Sequence, residues 1–560
     1  MQEFNNIVLF GGKTKNENMP MGFYSSLSLL PLRGKSIIWW QLENLKSYGI
    51  DQVILAITKD NIKLADYVKN VLAAHFQIQL VQVGSNKNIL SSLKYALRKA
   101  DMNLPTRVIL GDCFIPESIN DETDVLFTSN KIVSSKNWCL VDKNSKGYLK
   151  FIDKELNIPL QNKEALVGYF SFSDTKFLLH CCTKARIMLK KEISTALEMY
   201  QQKYPITTKK IEDWYDLRHT SGLIKLKNTL FSVRDFNSIT VDTSLGTLTK
   251  SSTKIQKLED EAYWFNHLPN ELKILTPRFI SFTKGNHKAE LTQELYGYPS
   301  LQELYLSGEV NIEDFSYILE KLFALHKRFE KYTSKENESA LRWLYVDKTA
   351  ERIEELKRQK VYWQQLFRED ILTINATSYH GIHYLKEEII KYATRISKNI
   401  PQTIIHGDYC FSNILFDSSN YTFRLIDPRG RLDAEATIYG DPRYDIAKLR
   451  HSVCGLYDFI VQGLFKISEK QKNFEYKIFA MPEYAVLENI FDRLAVQNGY
   501  NPQDIKFIEG LLFLSMIPLH KDNFNRQKMF YIRAVELLND VLSQAKEEIN
   551  YGKKDLKNMH

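Results

Sequence analysis

Asp408, Asn413 and Asp427 are the side chains of this chain whose types and spacing could carry out a demanding reaction. They lie in Ile404–Gly430, IIHGDYCFSNILFDSSNYTFRLIDPRG, with Asn413 five residues after Asp408 and Asp427 fourteen after Asn413. Transfer of a phosphoryl group from a nucleotide needs this set. One carboxylate orients the acceptor hydroxyl and takes its proton, while an amide and a second carboxylate hold Mg²⁺ against the phosphates. Each polar residue abuts an apolar run, Thr403-Ile404-Ile405, Asn413-Ile414-Leu415 or Leu425-Ile426. Such runs bury and hold a polar loop rigid. A plain hairpin with turn-forming Asp and Asn is the bland alternative. Three groups at this spacing, each beside a strand, weigh heavily against it.

HGDYCFSNILFD followed by LIDPRG resembles the aminoglycoside phosphotransferase and choline kinase family, whose members phosphorylate small molecules with ATP. The resemblance implies that Asp408 is the catalytic base, that Asn413 and Asp427 hold Mg²⁺, and that His406 braces the loop. Pro428-Arg429-Gly430 after the metal Asp departs from the protein-kinase pattern, so Phe-driven regulation is not expected. The order of elements upstream resembles the small lobe and hinge of the same family. A strand Lys must reach the α/β-phosphates and a helix Glu must fix it. Lys250, with Lys254 as rival, and Glu261 stand in that order. Any one of them alone would read as a solvated surface charge. Glu294-Leu295-Tyr296 reads as the adenine-binding hinge.

The chain has 560 residues, too many for one core, so two or more domains are expected. With 44% hydrophobic and 25% charged residues it is of ordinary globular composition. The net charge of +8 is scattered rather than blocked, which excludes a nucleic-acid footprint. Basic side chains around nucleotides explain the excess equally well. The six cysteines form no Cys-x-x-Cys pair, so neither zinc nor a disulfide framework is indicated and a cytoplasmic location is expected. MQEFNNIVLFGG lacks the basic-then-apolar order of a signal peptide, and GLLFLSMIPL is too short to span a membrane.

The first 232 residues alternate strands with helices. Asn6–Gly12 is an apolar strand running into two glycines. Ile38, Leu42 and Leu45 mark a helix that stops at Gly49. Strands are expected at Val53–Ile57, Leu80–Val83 and Arg107–Leu110, with a helix through Leu93 and Leu97. This order calls for a Rossmann-like α/β domain with a mostly parallel sheet, ligands sitting at the strand ends. Gly11-Gly12, LLPLRGKSII, Gly111-Asp112, Lys154, VGYFSF and Trp214-Tyr215-Asp216 resemble the sugar-phosphate nucleotidyltransferases. The resemblance implies a nucleotide, CTP or another triphosphate, held by Gly11, Gly12, Lys13 and Lys154, with Mg²⁺ on Asp112 and Asp216. Two carboxylates and a metal would then neutralise the triphosphate during attack on its α-phosphorus. The family's Pro-Lys before Leu-Leu-Pro is replaced by Ser26-Leu27, and its arm has Lys13 and Lys15 but no Arg. The missing cation then falls to Lys13, Lys15 or Lys154.

Residues 233–550 form the second domain, of α+β class, with a small β-rich lobe and a large helical lobe; 551–560 is a charged tail. A hairpin turning near Thr243–Gly246 leads to a helix ended by Pro269. Residues 311–400 and 451–550 read as mostly helical, and Asp445 as a helix N-cap that braces the catalytic loop. The combined expectation is a bifunctional enzyme. One half phosphorylates an alcohol, amino alcohol or sugar, and the other activates the phosphate as a nucleotide conjugate; such fusions resemble those feeding surface polysaccharide decoration. The alternative is a kinase whose first domain only binds. No nucleic acid and no membrane insertion are expected, and an oligomer is compatible with the sequence.

Overall fold

The structure, a computed structural model, describes residues 3–10, 26–32, 34–84, 88–116, 119, 121–132, 138–143, 148–153, 160–161, 163–188, 192–218, 222–223, 225–226, 237–308 and 310–557, with side chains of the last helix described to 543. The chain forms two compact units, Met1–Val233 with Ser307–Glu309, and Arg234–Leu306 with Val310–His560.

The first unit is an α/β domain. Its sheet runs 149–153, 139–143, 164–172, 106–110, 5–9, 52–58, 77–83, with 125–129 and 207–210 branching from 164–172. The four strands Gln77–Val83, Gln52–Thr58, Asn5–Leu9 and Thr106–Leu110 are mutually parallel, and Glu164–Phe172 joins them antiparallel. The expected mostly parallel arrangement holds through these four strands and again where Thr207–Lys210 pairs parallel with Val125–Ser129; the remaining pairings are antiparallel. Each step between the parallel strands is spanned by a crossover helix, Ile37–Ser47, Ile62–Asn70 or Ile89–Leu97. The first of these helices starts on Ser36, whose hydroxyl accepts from the amide of Trp39, and ends before Gly49, at φ +75°. Apolar runs such as Ile54–Ile57 bury on both faces, as a sheet covered by helices requires.

The second unit begins with a four-stranded antiparallel sheet, ordered Asn237–Asp242, Thr247–Ser252, Ala289–Glu294, Phe279–Lys284. Helix Ile255–His267 packs on it through Leu258, Ala262 and Phe265. The rest is rich in helices. Helix Pro442–Val453 is buried along its whole length from Arg443 and packs against Pro502–Met516 and Val486–Gln497. Arg450, 1% exposed, ties it there through ion pairs to Glu509, Glu488 and Asp492.

Two stretches expected to be helical are not. Phe465–Lys470 pairs with Asn473–Ile478, and Ile371–Ile374 pairs with Thr377–His380 and runs parallel to the first ribbon. Polar–apolar alternation in FKISEK and NFEYKI accounts for the ribbon. Among the described residues no helix is long and apolar enough to cross a membrane. All six cysteines are free.

Candidate functional site

The core of the site in the second unit is a chain of contacts linking the small sheet to the polar loop. Lys250 lies mid-strand on Thr247–Ser252, and Glu261 on the inner face of the adjoining helix, 2% exposed. The Lys250 ammonium donates to Glu261 Oε1 at 2.6 Å and also contacts Asp427 Oδ1. Burial works against a charged Lys250, but these two carboxylates outweigh it and raise its pKa, keeping it protonated. Lys254, the rival, is the residue preceding the helix and takes no part in this pair.

Asp427 follows strand Thr422–Leu425 and adopts φ +57°, a left-handed conformation that turns its carboxylate toward Lys250. Gly430 permits the turn that follows. Its φ is +61°, and a Cβ there would sit 1.9 Å from the Asp260 carbonyl oxygen.

Asp408 and Asn413 sit on the loop after Gln402–Ile404. Asn413 Nδ2 donates to the Asp408 carbonyl at 3.0 Å and to its Oδ2 at 2.9 Å. Asp408 Oδ1 pairs with Lys448 at 2.9 Å, and a third of its side chain (34%) remains exposed. Burial would raise its pKa, but the charges of Lys448 and Arg429 overcome this and hold it well below the ordinary carboxylate range. Asp408 is thus an ionised hydrogen-bond acceptor at any physiological pH.

The loop backbone is fixed by Asp445, whose two oxygens accept from the amides of His406 at 2.7 Å and Gly407 at 2.8 Å. The expected bracing contact is therefore present, but the expected N-cap is not. Asp441 caps the helix, accepting from Arg443 N at 2.9 Å with Pro442 in the first turn, and Asp445 lies one turn in. His406 is fully buried, and its Nδ1 accepts from the Asp408 amide at 3.3 Å. Burial lowers its pKa, so the ring stays neutral and supports the loop instead of serving as an acid.

Asp408, Asn413, Asp427 and Lys448 line a cavity of about 510 Å³ with Lys348, Arg429 and Tyr444, walled on one side by Leu512, Met516 and Leu519. Glu294 and Tyr296 are not among its walls. Their side chains face a separate cavity beside Arg278 and Arg424. The amide of Leu295 donates to Gly246 O at 2.8 Å and that of Glu294 to Arg278 O at 2.9 Å. Two of the three amides of the expected hinge are therefore spent closing the sheet, leaving only carbonyl acceptors at Glu294 and Leu295 to read a base.

In the first unit, Asp112 and Asp216 are brought together although 104 positions separate them. The strand pair Tyr215–Asp216 and Cys113–Phe114 sets them side by side. Both face Arg218, whose Nε lies 3.6 Å from Asp112 Oδ2 and 3.0 Å from Asp216 Oδ1. The guanidinium also stacks over Trp138, 4.7 Å from the ring centre. Burial raises the pKa of Asp112, and Arg218 opposes that rise. A small cavity of about 210 Å³ opens beside Asp112 and Arg218. Gly11, Gly12, Lys13, Lys15 and Lys154 lie outside the described residues.

No family model matches the chain, and no curated protein matches it. Among solved structures, the N-terminal part is similar to a protein described as a glucose-1-phosphate thymidylyltransferase from Bacillus anthracis, in complex with a sucrose. Identity there is 15%, coverage 42% of this chain and 97% of that one, and the TM-score 0.34. It is similar also to UDP-glucose pyrophosphorylase complexed with UDP-glucose, at 13% identity over 41% of this chain and 100% of that one, with a TM-score of 0.33. A third is CTP:phosphocholine cytidylyltransferase from Streptococcus pneumoniae, at 17% identity over 40% and 99%, with a TM-score of 0.32.

Sequence reasoning missed Lys448, Lys348, Tyr444 and Arg218. Arg218 had a legible signal, since it stands two residues after Asp216 in a strand–turn segment and can fold back on it. Lys448 had one too, at i+3 from Asp445 on the same helix face. Lys348 had none, because a single Lys opening an exposed-looking helix, KTAERIEELKRQ, reads as a surface charge.

Proposed function

We propose that the second unit is an ATP-dependent phosphotransferase acting on a hydroxyl of a small molecule, and that the first unit is a nucleotidyltransferase using its product. The kinase reading rests on one observation: Lys250, Glu261 and Asp427 join through direct contacts beside a cavity that also holds Asp408 and Asn413. Asp427 and Asn413 offer a carboxylate and an amide oxygen, the hard ligands Mg²⁺ prefers. They would hold the ion, which when bound neutralises phosphate charge. Lys250 then releases Asp427 and turns to the α/β-phosphates while Glu261 keeps it oriented. Asp408 accepts the acceptor's O–H and orients its oxygen for in-line attack. Little base strength is needed where the transition state is loose, which suits a carboxylate of lowered pKa.

In the first unit, Asp112 and Asp216 are the proposed metal pair for nucleotidyl transfer. A second reading is favoured by Arg218: its guanidinium already sits between both carboxylates where a metal would bind, which suits a domain that binds without catalysing. One experiment separates the two. The full chain is incubated with alcohols, ATP, CTP and Mg²⁺ and followed by phosphorus NMR. A nucleotide diphosphate-linked product supports the bifunctional enzyme, and a phosphomonoester alone supports the second reading. No turnover across a broad panel refutes both. Work in the cytoplasm on precursors of surface polysaccharide belongs to this same proposal; the free cysteines accord with a reducing compartment.

A further inference from the structure

The wall of the kinase-unit cavity away from Asp427 is built around one phenol. Arg429 Nη1 donates to Tyr444 Oη at 2.8 Å. The Lys348 ammonium lies 5.9 Å from the centre of the Tyr444 ring and 5.7 Å from that of Trp343. Lys448 stands one turn beyond Tyr444 on the same helix. Arg429, Lys348 and Lys448 thus line the same cavity as Tyr444 and Asp408, with Arg429 bonded to the phenol.

Their charges are unevenly matched. Lys448 is paired with Asp408. Arg431, also on the cavity wall, is spent on Asp260 at 2.8 Å, and Arg352 on Glu355 at 2.9 Å. Arg429 and Lys348, by contrast, have no carboxylate within 4.0 Å among the described residues, and both are half-buried. Placing two cations in a partly desolvated cavity with no ion pair of their own is unfavourable; Tyr444, Asp408 and Asp445 stabilise the charge of Arg429. The crowding registers on Lys348: burial, with the charges of Arg429 and Lys448, brings it down to about 8. Burial would push Tyr444 up, yet the three cations draw it down to about 7. A site with this excess attracts an anion and repels an ammonium group.

We infer that the phosphate acceptor is itself an anion: a small hydroxylated compound that carries a phosphate or carboxylate, seated on Lys348 and Arg429 with a hydroxyl toward Asp408. The inference rests on the kinase reading of the second unit and narrows its substrate class, excluding the amino alcohols that the sequence left open. Arg429 offers a planar fork suited to either anion, and Lys348 a point charge. The apolar wall of Leu512, Met516 and Leu519 would face the carbon skeleton.

The test uses the full chain with Mg²⁺–ATP and three arms of acceptor. The anionic arm holds hydroxycarboxylates (glycerate, gluconate) and sugar phosphates (glucose 6-phosphate, ribose 5-phosphate), which separate the two sources of charge. The cationic arm holds choline, ethanolamine and kanamycin; the neutral arm holds glycerol and glucose. Expected is turnover with one anionic class at a kcat/KM at least about tenfold above either other arm. Lys348→Met should then raise KM for that acceptor by about ten- to a hundredfold, the scale of one lost charge-assisted hydrogen bond. Calorimetric Mg²⁺–ATP affinity should stay the same. Preference for a cationic or neutral acceptor, or an acceptor KM unmoved by Lys348→Met, overturns the inference while leaving the kinase intact. Absence of Mg²⁺–ATP binding by the wild-type chain removes the kinase reading and the inference together.

Discussion

Asp408→Asn tests the centre of the site, and the geometry sets its size. Asp408 Oδ1 receives the Lys448 ammonium at 2.9 Å and Oδ2 receives Asn413 Nδ2 at 2.9 Å, so both oxygens act as acceptors. An amide keeps one acceptor and turns the other into a donor, which must then face Lys448 or Asn413. Flipping Asn413 to suit it would sacrifice the 3.0 Å bond to the loop carbonyl. One unsatisfied donor costs about 1–3 kcal/mol. Breaking a fully buried ion pair costs about 3–5 kcal/mol. With a third of the Asp408 side chain exposed, solvent screens the ion-pair loss well below that buried-pair range, which leaves about 1–3 kcal/mol of stability in all. The rate should fall by about 10²–10⁴, the scale for a lost positioned base, which adds about 2.7–5.4 kcal/mol to the barrier. Mg²⁺–ATP affinity should hardly change, because Lys250, Glu261 and Asp427 are untouched. The assay is phosphoryl transfer to the best anionic acceptor, with calorimetry for ATP and thermal unfolding for stability. Turnover near the wild-type rate would remove Asp408 from the mechanism. Lost turnover with lost ATP binding would mean that the loop had collapsed.

Asp427→Ala should weaken Mg²⁺-dependent ATP binding by about tenfold or more, since it removes a charged ligand; unchanged affinity in a Mg²⁺ titration would show that the metal lies elsewhere. Asp458 is fully buried, its Oδ1 accepting from Gln302 at 2.8 Å, and burial raises its carboxyl from the ordinary 3.8 to about 7. The folded state therefore binds a proton that the unfolded state has released between about pH 4 and 7, so stability falls as pH rises through that window. At 1.36 kcal/mol per pH unit the ceiling of this effect is about 4 kcal/mol. Asp458→Asn should gain in melting temperature over the wild type between pH 5 and pH 8, and a difference independent of pH would refute the assignment. Tyr444 is held at about 7, so a near-ultraviolet titration should show a phenolate band rising there, well below the ordinary tyrosine range, and Tyr444→Phe should abolish it. A band that persists in the variant would exclude Tyr444 as its source.

Much of the fold could be read where local chemistry and tertiary need agree. Ile38, Leu42 and Leu45 with Gly49 bounded a helix, because period, cap and stop coincide. The hidden ribbons fail that condition. Their turns place Asn375 and Ala376, then Gln471 and Lys472, at positive φ. Two-residue hairpin turns of this kind favour Asn-Gly or Asp-Gly, and Ala, Gln and Lys carry no such mark. The proposed catalytic triplet was legible because its spacing is short and its neighbours are strands. Lys348 was not, because it comes from a helix remote in sequence, Lys348–Gln359, that carries no motif.

One helix joins the other parts of the site. Asp441, Tyr444, Asp445 and Lys448 recur at the three- and four-residue spacing of a single helical face. Asp441 starts the helix and accepts from Tyr345 Oη at 2.8 Å. Asp445 holds the loop backbone at His406 and Gly407, Lys448 holds the Asp408 carboxylate, and Tyr444 gathers Arg429 into the cavity. Gly407, at φ +77°, lets the loop turn between these contacts, since a Cβ there would meet Arg429 Cβ at 2.7 Å. On the opposite face Arg450 anchors the helix to three carboxylates. The helix is therefore buried for a reason that hydrophobicity alone would not give: it is the rail that fixes both the Asp408 loop and the cations beside it, which in the proposed kinase would orient and select the acceptor. A substitution at Arg450 should then loosen Asp408 and Tyr444 together, although neither touches it.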